Sequence, residues 1–156
     1  MSRRTFGIAF CFGTIFACAV VHVASFLTIL PVLSIVVPVV LLTGAILCAS
    51  RPGGWRNPPA PRGKFAVVGW ILLIYAVLLF VHFYRSTGGA TNVEIVHGQY
   101  AYMSKDTVIR PISEVEYKMF PTQVTRVMSA WIGMMATFCL SSLLRGEPND
   151  RRVMGE

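Results

Sequence analysis

The sequence predicts an all-α membrane protein: a four-transmembrane-helix bundle with a small extracytoplasmic β-hairpin plus short helix between spans three and four. The first observation behind this prediction is composition. Of 156 residues only 13% are charged and 54% are hydrophobic, with a mean hydropathy of +0.62, whereas soluble domains carry about 25% charged residues. The second observation is that the chain contains four long stretches without Asp, Glu, Lys or Arg. Lipid is therefore expected to form part of the solvent.

The four apolar stretches are each long enough to cross a bilayer. About 18 to 21 residues of helix span a hydrocarbon core of about 30 Å, and backbone inside lipid must satisfy its own hydrogen bonds. Pro38 falls in the interior of the second stretch, where a kink is expected. The predicted spans of this single membrane domain, residues 1–156, are 6–26, 30–49, 65–83 and 127–144.

The distribution of basic residues predicts the orientation. Nine of the 14 Lys and Arg residues lie in the N-terminus, the Pro/Arg-rich loop at 50–64 and the C-terminal tail, and five lie in and beside the segment 86–126. Basic residues concentrate on the cytoplasmic side of membrane proteins. We therefore expect cytoplasmic N and C termini in a bacterial inner membrane. The net charge of +7 then faces anionic lipid headgroups, and nucleic-acid binding is not predicted.

The segment 86–126 is the only substantial extramembrane part, and it is expected outside. Residues 99–104 and 107–112 predict two strands around a Lys-Asp turn, and residues 92–96 are a candidate third strand. Ser113 and Glu116 form the pattern of a capping box. A helix is therefore expected to begin at this point and to run into the fourth span.

This extracytoplasmic hairpin and helix also hold the candidate partner contacts. Aromatic residues at alternate positions of the 99–104 strand and along one face of the helix are expected to pack together at the outer membrane surface. An Arg and a Glu beside them are available for a local ion pair or for a partner. Alternatively, the hairpin is only a lid that seals the bundle. The candidate partner-contact residues are Tyr100, Tyr102, Arg110, Glu116 and Tyr117.

Three runs of sequence carry a resemblance. They are His97-Gly-Gln-Tyr100, then Val108-Ile-Arg-Pro-Ile-Ser-Glu-Val-Glu-Tyr117, then Arg126-Val-Met-Ser129. This pattern resembles small uncharacterised bacterial four-span membrane proteins with a Gly-x-Tyr hairpin and a Glu-Tyr helix before the last span. The resemblance implies no activity.

His22 and His82 are the candidate cofactor-binding residues. Both fall near the outer end of their predicted spans, at matched depth. Two histidines on different helices can ligate a haem iron axially, bind a quinone headgroup or relay protons. The alternative is that both are interfacial residues that hydrogen-bond to backbone, loop or water.

Small residues predict where helices pack. Gly13 and Ala17 lie four residues apart in the first span, and Ser129, Gly133 and Ala136 form a similar face in the fourth. Such faces allow close approach of helix backbones in lipid. All four cysteines fall inside apolar stretches, where we interpret them as packing residues, and no metal site is predicted.

Three functions remain open on these grounds. The first is a structural or accessory partner in a membrane assembly, in contact with lipid and with a membrane-protein partner or a second copy. The second is a haem- or quinone-handling electron-transfer protein that uses His22 and His82. The third is a small transporter or channel, for which the expected kink at Pro38 is the hint. The sequence holds no catalytic constellation, so we favour a non-enzymatic role without a cofactor.

Overall fold

The computed structural model describes residues 3–28, 32–49 and 63–145, and this part of the chain is mostly helical. A 3₁₀ turn at Val32–Ile35 leads into the second helix. The helices are α1 (Arg3–Leu27), α2 (Val36–Ala49), α3 (Lys64–Thr87) and α4 (Glu114–Arg145). The strands are β1 (Asn92–Val96), β2 (Gln99–Ser104) and β3 (Thr107–Pro111).

Three of the helices have the length and composition of membrane spans. These are α1, α3 and α4, and α2 is a shorter apolar helix of 14 residues. The predicted apolar stretches thus form helices, and the last of them is continuous with the helix that begins after Ser113. This architecture of long apolar helices and a small sheet is compatible with a helical membrane protein.

Helix α4 is the centre of the bundle. In its most apolar part 56% of the residues are buried, compared with 22% in α1 and 17% in α3. It packs against α1, α2 and α3. One apolar cluster joins Cys11 of α1 and Ala45 of α2 to Cys139 and Leu140 of α4. These cysteines are buried packing residues, as the sequence predicts.

Pro38 does not lie where the sequence placed it. Because the 3₁₀ turn precedes α2, that helix begins at Val36 and Pro38 stands in its first turn. The N–H groups of a first turn have no partner within the helix, so a proline is tolerated there. Pro38 is therefore not in the interior of α2, whereas the kink expected in the second span stays a prediction. Residues 50–62 of the predicted cytoplasmic loop lie outside the described residues.

The segment between α3 and α4 forms a three-stranded antiparallel sheet in the order β1-β2-β3. The predicted hairpin is β2 with β3, and the candidate third strand pairs with β2 on its other side. His97 and Gly98 link β1 to β2 with φ angles of 51° and 80°. A two-residue hairpin turn with both angles positive matches the twist of the flanking strands. The sheet is thus a meander of local connections.

Two helix ends fix where this sheet is attached. Helix α3 ends at Thr87 and is capped by Gly88, which has a left-handed φ of 65° that glycine adopts without strain. Helix α4 begins with the predicted capping box. The amide of Glu116 donates to the Ser113 hydroxyl at 3.2 Å, and the amide of Ser113 donates to the Glu116 carboxylate at 2.9 Å. The capping-box prediction is confirmed.

Candidate functional site

A polar cluster around His22 joins three helices in the half of the bundle that is nearer the sheet. Nδ1 of His22 lies 2.9 Å from the hydroxyl of Ser129 on α4, and Nε2 lies 2.7 Å from the hydroxyl of Tyr75 on α3. The Ser129 hydroxyl donates its proton to the carbonyl of Arg126. It must therefore accept from Nδ1–H of His22, which leaves Nε2 to accept from Tyr75. Both ring nitrogens are used in holding helices together.

Arg126 lies on the side of the same cluster that faces the end of α1. Its Nε and Nη2 atoms donate to the hydroxyl and the carbonyl of Ser25, at 3.2 and 2.7 Å. The guanidinium also lies 3.8 Å from the centre of the Phe26 ring, a cation–π contact. Ser25 and Phe26 belong to the last turn of α1, where free carbonyls give the helix a negative end. A cation at this position stabilises the end of α1 against α4.

His82 is not the counterpart of His22. Helix α3 places Tyr75, not His82, beside His22, and His82 follows Tyr75 by seven residues. Two turns correspond to about 10 Å along a helix. The matched depth inferred from the sequence is therefore wrong, because α3 extends further past Tyr75 towards the sheet than α1 extends past His22. Among residues 3–28, 32–49 and 63–145, no group of three or more His, Cys, Asp or Glu side chains could hold a metal ion.

His82 instead lies in a small cleft between α3 and α4, at the ends of these helices that adjoin the sheet. The cleft has a volume of about 50 Å³ and is also lined by Ser86, Gln123 and Arg126. Arg126 therefore lies between two features, with the His22 cluster on one side and this cleft on the other.

The small-residue faces pack within the chain. A Cβ atom added at Gly133 would lie 3.5 Å from the Cβ of Cys18, so this face of α4 lies against α1. Ala136 is fully buried. On α1, a Cβ at Gly13 would meet Leu41 of α2 at 3.6 Å, and Ala17 is half-buried. The two faces thus lie against different neighbours rather than against each other.

The aromatic residues of the sheet and of α4 pack together. Ring centres of Tyr100 and Tyr117 are 4.8 Å apart, and those of Tyr102 and Phe120 are 5.7 Å apart. Phe120 also contacts Phe83 of α3 at 5.7 Å. The sheet is therefore fastened to both helices by one aromatic core. Tyr102 is 2% exposed, so it is a core residue and not a free surface for a partner.

Arg110 ties the sheet to the helices from the other side. It forms an ion pair with Glu116 at 2.7 Å, and its Nη2 also donates to the carbonyl of Ser86 at 3.3 Å. The guanidinium lies 4.8 Å from the centre of the Tyr102 ring. Burial raises the pKa of the Tyr102 phenol, the negative charge of Glu116 raises it further, and Arg110 opposes both. Of the two roles expected for Arg110 and Glu116, the local ion pair is present.

Sequence reasoning missed Tyr75, Ser25 and Arg126. The sequence of α4 did contain one indication of a polar site, since Arg126 and Ser129 lie three residues apart and so share a face of the helix. On α3, Tyr75 and His82 share a face at a spacing of two turns.

Comparison with models of protein families, with curated proteins and with solved structures finds no match for this chain.

Proposed function

We propose that this protein is a structural or accessory component of a membrane assembly, with four spans and no catalytic role. The observation that carries the proposal is the use of its polar side chains. His22, Arg126 and Arg110 all bind groups on neighbouring elements. They stabilise a fixed arrangement of helices and sheet. In contrast, α1 and α3 leave most of their apolar surface open, available to lipid or to the helices of a partner.

Four spans require that the second apolar segment also crosses the bilayer. The 3₁₀ turn and α2 together hold 18 residues, which rise about 29 Å at ordinary helical spacings. This length supports a crossing of a core about 30 Å thick. An even number of spans puts both termini on one side, and the excess of basic residues favours the cytoplasmic side of a bacterial inner membrane.

Cysteine labelling tests this topology. In a variant whose native cysteines are replaced by alanine, an impermeant maleimide applied to intact cells should label Lys105→Cys and leave Asn57→Cys unlabelled. Permeabilised cells are the control, and both positions should then react. Labelling of Asn57→Cys in intact cells would contradict the proposed orientation.

The partner itself is tested by mild-detergent affinity purification at native expression. Val115 lies in the first turn of α4 and is 70% exposed. Val115→Glu should leave the fold intact, since an acid is favourable at a helix N-terminus, and should release a partner that packs there. Thr107→Glu, at an exposed position of β3, is the matched control for the added charge. A wild-type protein that purifies as a single copy with no stoichiometric companion would remove the proposal.

The electron-transfer alternative retains a direct test. His22 uses both ring nitrogens in hydrogen bonds, so ligation of an iron would require it to release Ser129 or Tyr75. A visible spectrum of the purified protein should show no Soret band. A band that disappears in His22→Leu would replace our proposal with a haem protein. The transporter alternative rested on an expected kink at Pro38, and the position of Pro38 in the first turn of α2 weakens that support.

A further inference from the structure

Helices α1 and α4 pack in a constant antiparallel register. Ser129 of α4 lies against His22 of α1, and four residues further along both helices Gly133 lies against Cys18. A Cβ atom at Gly133 would lie 3.5 Å from the Cβ of Cys18, so the two backbones approach closely at this level. Seven more residues along each helix are about two turns, and this step makes Cys11 level with residue 140.

Two thiols meet at that level of the interface. Cys11 of α1 and Cys139 of α4 belong to one buried cluster, together with Ala45 and Leu140. The thiol of Cys11 donates a hydrogen bond to the sulfur of Cys139, and neither cysteine forms a disulfide. Cys11 is 0% exposed and Cys139 is 8% exposed. The register of the two helices and the contact of the side chains thus independently place these sulfurs together.

This arrangement suits a covalent bond between the sulfurs. A disulfide requires that two Cα atoms lie within about 7 Å and that their side chains point towards each other. Close approach of the two helices and a hydrogen bond between the thiols are the conditions under which both requirements are met. A disulfide is also uncharged, so its formation leaves no charge among apolar side chains.

We infer that Cys11 and Cys139 are a redox-sensitive pair, which a hydroperoxide converts into a disulfide that joins the first helix to the last. With hydrogen peroxide, one thiol takes up an oxygen atom to become a sulfenic acid, and one water leaves. The sulfur of the other thiol then attacks the sulfenic sulfur, the S–S bond forms, and the oxygen leaves as a second water. Two thiols and one peroxide thus become one disulfide and two waters. A small, uncharged oxidant is required because both thiols are buried.

The bond would lock the bundle, because it closes a loop that contains most of the chain. A disulfide across a long loop restricts the unfolded state strongly, so oxidation should raise the midpoint of thermal unfolding. Under the proposed topology the pair lies towards the cytoplasmic ends of α1 and α4, where thiols are kept reduced until an oxidant appears. The chemistry itself goes beyond the proposed function and depends on neither a partner nor the topology.

The positions of the cysteines make this bond simple to detect. Cys139 is the only one of the four cysteines that follows residue 48. A protease site inserted after Asn57 therefore divides the chain into a fragment with three cysteines and a fragment with Cys139 alone. Membranes that contain the full chain are treated with hydrogen peroxide, the remaining thiols are blocked with N-ethylmaleimide, and the chain is then cut. On a denaturing gel without reductant the two fragments should stay joined, and a reductant should release them.

Single variants identify the partner of Cys139. Cys11→Ala should abolish the joined species and the rise in the unfolding midpoint. Cys18→Ala and Cys48→Ala are the matched controls in the same fragment and should behave as wild type. Oxidised protein that has not been cut should migrate as one copy, because the bond lies within the chain. Fragments of the wild type that separate after oxidation, or a joined species that survives Cys11→Ala, would overturn the inference. The first of these outcomes is read from the wild type, so it does not depend on how any alanine variant folds.

Discussion

The Nε2 atom of His22 and the hydroxyl of Tyr75 lie 2.7 Å apart and connect α1 directly to α3. These two helices meet mainly through α4, which packs on both. Besides this hydrogen bond they share an edge-to-face contact of Phe12 with Phe65, whose ring centres are 6.4 Å apart. The bond from His22 to Tyr75 therefore links directly the two helices that α4 otherwise joins by packing against each of them.

Removal of this bond should weaken the bundle by a measurable amount. Tyr75→Phe is expected to lower the free energy of unfolding by about 0.6 to 1.5 kcal/mol, the range for a hydrogen bond between helices. The measurement is thermal unfolding in detergent. Tyr84→Phe is the control on the same helix, because that exposed tyrosine has no hydroxyl bond among the described residues. Equal losses in both variants would show that the bond to His22 contributes nothing.

The glycines of α3 and α4 should respond differently to alanine. A Cβ at Gly69 would lie 2.7 Å from the Phe138 ring, which also packs edge-on against Trp70. Gly69→Ala should therefore destabilise the protein by about 1 to 3 kcal/mol through overpacking. A Cβ at Gly133 meets Cys18 at an ordinary 3.5 Å, and alanine favours helix, so Gly133→Ala should be neutral or stabilising. Thermal unfolding of the two variants, measured in parallel, tests this difference in stability. A larger loss of stability in Gly133→Ala than in Gly69→Ala would contradict the packing described.

The ion pair and the capping box can be separated at Glu116. Its carboxylate binds Arg110 and also accepts from the amide of Ser113. Arg110→Ala should cost only about 0 to 1 kcal/mol, as exposed ion pairs do. Glu116→Gln keeps the capping interaction and should cost as little, whereas Glu116→Ala loses both and should cost more. Hydrogen exchange of the amides of residues 113–117 reports the result, and equal exchange in the two Glu116 variants would exclude a role for the cap.

Tyr102 should make the module formed by the sheet and the first turns of α4 sensitive to alkaline pH. Its pKa is raised in the folded protein, first by burial, so the folded state holds the phenol proton more tightly than the unfolded state does. The resulting stability is complete below the ordinary tyrosine pKa of about 10 and is lost as the pH rises above it. Unfolding of the module, followed by hydrogen exchange between pH 9 and 11, should therefore become easier in wild type than in Tyr102→Phe. Tyr100→Phe, which removes a phenol from the same face of β2, should retain the wild-type response.

The sequence was most informative where the signal is local. Strands β2 and β3 and the capping box at Ser113 depend on turn residues and spacings within a few positions, and all were predicted. The packing of Tyr100 on Tyr117 also followed from alternation in a strand and periodicity in a helix. The partner of His22 could not be predicted in this way. Which residue of α3 lies at its level depends on how far each helix extends, and the sequence of one helix does not contain that relation.

Pro38 illustrates the same limit on a smaller scale. Its effect depends on where α2 begins, and a single 3₁₀ turn moves that beginning by four residues. Helix boundaries are the least certain part of a prediction from sequence.

The small-residue faces were predicted as packing surfaces, and the structure places Gly133 and Gly13 against different helices. The sequence could not predict these neighbours, because a small residue permits close approach without specifying which helix approaches.

The central position of α4 has a consequence for the order of synthesis. The ribosome makes α1, α2 and α3 before the helix on which they all pack. Each apolar segment can enter the bilayer as an independent helix, and side-by-side association follows as a second stage. During that interval His22 has no contact with Ser129, and the last turn of α1 lacks the guanidinium of Arg126. Assembly of the bundle is therefore expected to wait for the last of the four helices, and chains that end before residue 114 should be substrates for membrane proteases.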